Sequence, residues 1–301
     1  MVYKSIDDYK MVVHNSSIVI NHCKLTDFPT LIRQFGVWDK VCHRVNYIGI
    51  HYDPEKQRLF LPRGIDVDYV RRKVESTMDP DEFSSYIARY NHYDKVSKRI
   101  RMKMLPRDDV QKEALNFGLC KGKYYCNSGK TQFAINLTTG KGKTYIASCI
   151  MSYLGIRSIV ITSQSGILDQ WREKVKEYTD IDDSEIVKIE GGPMIGRILN
   201  DSSMMANKSL YLCTHSTVQP YGSSHGWDKV GLLFEKLGIG IKFFDEAHQN
   251  FQNMALIDFA TRDVWRTYYI TATPSRSDRQ EDIIYKLYMK NVPSINLFNP
   301  E

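Results

Sequence analysis

Residues 137–144 read Leu-Thr-Thr-Gly-Lys-Gly-Lys-Thr, and residues 243–248 read Phe-Phe-Asp-Glu-Ala-His. The first stretch works as a phosphate loop only if a strand enters it and a helix leaves it. Gly140 and Gly142 let the backbone curl so that its N–H groups face phosphate oxygens, with Thr139 and Lys141 completing the curve. Lys143 can reach the β- and γ-phosphates, and the Thr144 hydroxyl can ligate Mg²⁺. A helix beginning near Lys143 adds its positive end. In the second stretch, Ile239, Ile241, Phe243 and Phe244 nearly fill the run before Asp245. A buried strand there delivers Asp245 to the carboxyl edge of a sheet, where ligands bind in open α/β folds. Asp245 is suited to hold Mg²⁺, directly or through water. Glu246 is suited to polarise an attacking water as general base. His248 can couple this site to neighbouring segments. A chance basic loop and a solvated acidic loop are the bland alternatives, and the strand–loop–helix placement of the first argues against them.

The rest of the chain agrees with a parallel α/β sheet. From about Arg107 onward, short β-rich runs alternate with helical ones. Strands are expected at 131–137, 158–162, 209–213, 239–244 and 268–271, with helices at 145–154 and 167–178. Such runs imply a sheet covered by helices on both faces. Residues 1 to about 100 read differently. A strand is expected at 17–21, a helix at 25–36, paired strands at 46–52 and 58–61 around a turn, and a helix at 65–76. This describes a small α+β domain (1–100) before an α/β domain (101–301).

Net charge is +6 with a pI near 8.8, a mild excess that permits a polyanionic partner without requiring one. Residues 95–130 are the most basic stretch, with ten Lys or Arg against three Asp or Glu. They are either a nucleic-acid contact or an ordinary solvated face. The six cysteines lack the paired spacing of a zinc site and read as reduced thiols. No apolar run is long enough to span a bilayer, and the N-terminus lacks the apolar core of a signal peptide. A cytoplasmic site of action, host cytoplasm if the source is viral, is the expectation, with no membrane partner.

Taken together with Ile270-Thr-Ala-Thr-Pro-Ser-Arg276, the motif set resembles the superfamily 2 helicases and translocases. Residues 137–144 look like motif I, Asp245-Glu-Ala-His248 like motif II, and Thr271 to Arg276 like motif III in its TATPxR form. Residues 106–115 resemble the adenine-reading segment, with Gln111 as its glutamine. Residues 159–171 resemble motif Ia, and 211–218 motif Ib. The small domain before the motor more loosely resembles that of phage UvsW-type branched-DNA helicases. The resemblance implies a RecA-like P-loop domain, ATP and Mg²⁺ as cofactors, and nucleic acid as partner. The TATPxR form points to DNA. It also implies strand contacts at Gln170, Thr214 and Ser216, and coupling through Thr271 and Thr273.

Three positions depart from the family pattern. Leu137 stands where motif I usually begins with glycine, Ser163-Gln164 where motif Ia carries Pro-Thr, and Val110 where an aromatic precedes the glutamine. Family motors have two RecA-like domains, the second supplying motifs IV to VI. Only 28 residues follow Thr273, so an N-terminal half completed by a second domain or a partner chain is expected. Two readings stay open: the ATP-binding half of a DNA helicase or translocase, and a non-catalytic nucleotide-dependent nucleic-acid-binding module. An unrelated P-loop enzyme such as a kinase would share the loop but not motifs Ia and III. The first hundred residues either pack against the motor or recognise branched or duplex DNA through Arg71, Arg72, Lys73 and residues 98–103. Tyr47, Tyr52, Phe60 and Tyr69 fall at core spacing.

Overall fold

A computed structural model describes residues 5–89, 92–273 and 277–298 of the chain. The N-terminal segment supplies β1 (Met11–Val13), β2 (Ser17–Ile20), the one-turn α1 (Pro29–Ile32), β3 (Gly36–Asp39), β4 (Arg44–Tyr47), β5 (His51–Asp53), β6 (Arg58–Pro62), α2 (Val67–Glu75) and β7 (Ser85–Ile87). Five of these strands form a sheet in the order β5-β6-β2-β1-β7, while β3 and β4 pair apart as a hairpin. The expected helix over 25–36 is broken into α1 between two 3₁₀ turns, and its end becomes β3. The expected strand over 46–52 is also divided. Asn46 and Tyr47 pair with β3, whereas His51–Asp53 pair with β6. Gly49 makes the break at φ +73°, its N–H donating to Gln252 Oε1 at 2.7 Å, and a Cβ added there would lie 3.0 Å from the Phe251 ring. In α2, Asp66 caps the first turn and Val70 and Val74 face the core. Phe60 is buried and Tyr52 and Tyr69 are half-buried, as their spacing suggests, but Tyr47 is exposed.

The second segment alternates strand and helix. It runs through α3 (Asp109–Gly118), β8 (Gln132–Leu137), α4 (Lys143–Leu154), β9 (Ser158–Thr162), α5 (Ser165–Tyr178), β10 (Ile186–Lys188), α6 (Gly191–Asn200), β11 (Leu210–Thr214), α7 (His215–His225) and α8 (Trp227–Lys236). It ends with β12 (Ile241–Asp245), α9 (Phe251–Ala260), β13 (Arg266–Thr271), α10 (Arg279–Tyr288) and β14 (Ser294–Leu297). Every pairing in its seven-stranded sheet is parallel, in the order β10-β11-β9-β12-β13-β8-β14. This is the RecA-like arrangement that the alternation of strands and helices and the family resemblance imply. The five expected strands are present within one or two residues. The edge strands β10 and β14 were not foreseen, and the residues after Thr273 supply α10 and β14.

Alternate side chains of each strand enter opposite layers, as the two-residue period demands. Phe244, Tyr269, Ile161 and Tyr211 face one core. Phe243, Tyr268, Val160 and Leu212 face the other, beneath α3, α4 and α5. Burying each large apolar side chain contributes about 1.5–3 kcal/mol. The first core is continuous with that of the five-stranded sheet, so the N-terminal segment packs directly on the α6–α9 side. Phe60 stacks on Phe259 across this junction, with ring centroids 6.1 Å apart.

A buried ion pair lies in the same layer. Lys242 and Asp258 are both fully buried, with Nζ 2.8 Å from Oδ1. The ammonium donates to Ser16 Oγ, Thr261 O and Thr261 Oγ1, so it joins β12 and α9 to the turn after β1. Tyr269 and Tyr288 both donate hydroxyls to Asp258 Oδ2. Burial and the Asp258 charge hold both phenols well above their ordinary pKa, so they remain donors. Among the described residues no helix is long and apolar enough to cross a membrane. All six cysteines are free, four of them buried.

Candidate nucleotide and nucleic-acid site

The parallel register brings the ends of six strands to one edge. Thr214 pairs with Thr162, Asp245 with Ile270, Thr271 with Asn136, and Leu137 with Leu297. Leu137 is fully buried as the last residue of β8, which explains why glycine is not needed there. The curve begins one residue later. Gly140 and Gly142 adopt φ of +80° and +93°, and Lys141 N–H closes a turn onto Thr138 O at 3.1 Å. Lys143 then starts α4 with no side-chain cap on the helix. Its first N–H groups therefore remain directed at whatever anion sits beyond them.

Gln111 is buried directly beneath this loop. Its Nε2 donates to Lys141 O at 3.1 Å, and its Oε1 accepts from Arg107 N at 2.8 Å. The expected adenine-reading residue thus also braces the loop backbone. A Cβ at Gly142 would lie 2.5 Å from Gln111 Nε2. Gly142→Ala is therefore expected to displace the loop and to weaken binding of a nucleoside triphosphate there, should one bind, about tenfold, in line with the ~1–2 kcal/mol cost of left-handed backbone. Titration calorimetry of the variant checks this, and unchanged affinity would show that the loop geometry does not matter.

Asp245 ends β12 and is 8% exposed. Trp171 Nε1 donates to its Oδ2 at 2.8 Å, whereas Oδ1 is buried without a hydrogen bond and lies 3.7 Å from Lys143 Nζ. Burial pushes the Asp245 carboxyl up, only partly offset by Lys143 and the Trp171 indole. Glu246 follows in left-handed backbone at φ +51°, a conformation that costs a non-glycine residue about 1–2 kcal/mol. Its carboxylate pairs through Oε1 with the Lys143 ammonium. Oε2 accepts from Thr271 Oγ1 at 3.0 Å and from Ala272 N at 3.3 Å. Burial raises the Glu246 pKa, but Lys143, Ala272 N–H and Thr271 together outweigh it and hold the group below its ordinary value.

His248 links the next pair of residues. Its Nδ1 lies 2.7 Å from Thr271 Oγ1, and its Nε2 lies 2.9 Å from Thr273 Oγ1. Glu246, Thr271, His248 and Thr273 therefore form one connected polar chain. Residues 274–276 of the motif lie outside the described residues. Gln170 is exposed on α5 and Ser216 is exposed at the start of α7. Thr214 is buried, and its hydroxyl caps α7 by accepting from Thr217 N at 3.2 Å. Its side chain holds that corner in shape and leaves Ser216 as the accessible hydroxyl. Sequence reasoning missed Trp171 as the partner of Asp245. The residue closes the motif Ia-like run, but nothing in its spacing shows where an indole N–H points.

The oxygen donors fit Mg²⁺. Asp245 Oδ1 is an orphaned buried acceptor, and hard cations of this size take one or two protein oxygens plus phosphate and water. Among the described residues no group of three or more His, Cys, Asp or Glu side chains could hold a metal alone. Substrate phosphates and water would have to complete any coordination shell.

Residues 103–276 match the family described as type III restriction enzyme, res subunit. The chain is similar to Rad25 of Haloarcula marismortui, at 25% identity over 150 residues, 49% of this chain and 21% of that protein. It is similar to XPB2 of Sulfurisphaera tokodaii, named a DNA 3′-5′ translocase, at 28% identity over 112 residues, 34% of this chain and 26% of that one. The chain thus spans only about a quarter of the length of these relatives. Among solved structures, the UvsW helicase from bacteriophage T4 shares the fold with a TM-score of 0.57 and 16% identity. That likeness covers 97% of this chain and 100% of that one, so it takes in the five-stranded sheet as well.

Proposed function

The chain belongs to the type III restriction enzyme res subunit family of helicase-type proteins, and from that premise we propose that it is the ATP-binding half of a DNA helicase or translocase. The observation that carries this reading is the Lys143 ammonium held between Glu246 and Asp245 at adjoining strand ends. That is where a lysine must sit to meet the phosphates beside a Mg²⁺ ligand and a base. Residues 139–144 cradle the phosphates, and Gln111 sets the loop from below. Thr144 and Asp245 would hold Mg²⁺, which when bound would neutralise phosphate charge. An arriving triphosphate draws Lys143 away from Glu246. Losing that partner raises the proton affinity of Glu246 and frees it to accept a proton from water. His248, Thr271 and Thr273 relay the state of Glu246 toward strand contacts at Gln170 and Ser216, with Thr214 holding the corner. A second RecA-like domain or a partner chain completes the cleft and supplies the arginine that such transfers use, worth about 10³–10⁵ in rate.

The test is ATP hydrolysis and ATP affinity of the 301-residue chain, with and without single-stranded, duplex and branched DNA. DNA-stimulated turnover supports the motor reading. Binding without turnover supports the alternative, a nucleotide-dependent DNA-binding module that needs a partner for hydrolysis. In the same assay Lys143→Ala is expected to lose about 10–100-fold in ATP affinity, the worth of a charge-assisted hydrogen bond of ~1.5–3 kcal/mol. Retained affinity would remove Lys143 from the phosphate site.

A further inference from the structure

The parallel sheet has an opposite edge. Thr131 and Gln132 lead into β8 there, and Pro293 leads into β14, roughly 20 Å from Lys143 at the rise of an extended chain. A cavity of about 500 Å³ opens between this edge and the five-stranded sheet. Arg63, Arg89 and Lys130 line it, and no Asp or Glu does. Among the described residues these three cations have no ion-pair or hydrogen-bond partner. Arg63 is half-buried, and burial alone acts on its guanidinium, lowering its pKa with no carboxylate to oppose it.

The walls are fixed. Asn291 N donates to Gly64 O at 2.9 Å, and a Cβ on Gly64 would lie 2.1 Å from Tyr288 O, so the turn carrying Arg63 is clamped. Thr131 Oγ1 donates to Asn15 O at 2.6 Å, which clamps the residue beside Lys130. Arg63 is half-buried while Arg89 and Lys130 reach water, so the cleft presents a local positive field that no carboxylate of its lining offsets and that attracts an anion. The volume matches sites for small ligands or a few nucleotide units, about 300–1,000 Å³, and is too small for a duplex.

We propose that this cleft is a second phosphate-binding site, separate from the loop at 138–144, which takes a phosphate group through Arg63, Arg89 and Lys130. The phosphate can come from a single strand of nucleic acid or from a free phosphate ion, and the two are separated by experiment. Binding of labelled oligodeoxythymidine is measured by anisotropy across a salt series, and binding of inorganic phosphate by calorimetry. Both use the full chain without Mg²⁺ in a Lys143→Ala background, which silences the loop. The double change Arg63→Gln with Lys130→Gln is expected to weaken oligonucleotide binding at least tenfold. It should also flatten the salt slope by about 1.4, two single-strand contacts at ~0.7 each. Lost inorganic phosphate binding with unchanged oligonucleotide binding assigns the site to free phosphate. Arg63→Lys, which keeps the charge, is expected to restore binding. The proposal is overturned if the double variant binds both probes as its parent does. It is overturned equally if weakened binding comes with a lowered melting temperature that Arg63→Lys does not restore.

Discussion

Glu246→Gln is expected to abolish ATP turnover, by about 10²–10⁴-fold, while ATP binding persists. The substitution keeps the side chain's length and its acceptor oxygen. Thr271 Oγ1 and Ala272 N can still donate to it, so the turn at φ +51° keeps its supports. What is lost is the group that takes a proton. Lys143 loses its partner at Oε1 but retains Asp245 nearby and becomes more available to phosphate. The measurement is single-turnover hydrolysis beside equilibrium ATP binding, with DNA present. Turnover at the unsubstituted rate would show that Glu246 is not the base. Loss of binding as well as turnover would assign it a structural role in the loop.

The second large effect concerns stability. Asp258→Ala is expected to destabilise the chain by about 3–5 kcal/mol, because it leaves a fully buried ammonium without its counter-charge. The Tyr269 and Tyr288 hydroxyls lose their acceptor in the same step. Replacing both ion-pair partners with apolar residues, Lys242→Met with Asp258→Leu, is expected to recover part of the loss. Recovery stays incomplete, because the two phenol O–H groups still lack the acceptor that Asp258 Oδ2 supplied. Urea denaturation of Asp258→Ala, Lys242→Met and the double variant checks the order. A double variant less stable than either single one would mean that volume, rather than charge, governs this layer. Since Lys242 also binds Ser16, the single variants should loosen the N-terminal sheet. Amide exchange in β1 and β2 would report that.

The strands that carry the site were legible in the sequence. Ile159–Ile161 is a continuous apolar segment and the run ending at Asp245 is apolar but for Lys242, the signature of strands buried on both faces of a parallel sheet. The loop glycines were legible too, because positive φ is confined to few residue types. Edge strands β10 and β14 were not, since three or four residues with one face exposed carry no distinctive run. Gly49 divided an expected strand because Phe251 and Gln252, two hundred positions away in the chain, fix its backbone.

The sequence by itself therefore determined the order of strands and loops, and which side chains arrive at the carboxyl edge, because hydrophobic periodicity and glycine placement are local properties. Only the tertiary structure decided what those side chains meet. The indole of Trp171 on Asp245, the pairing of Lys143 with Glu246 and the cationic cleft at the far edge all join residues remote in the chain. Burial and hydrogen bonding act on neighbours in space, and no local pattern records which neighbours those will be.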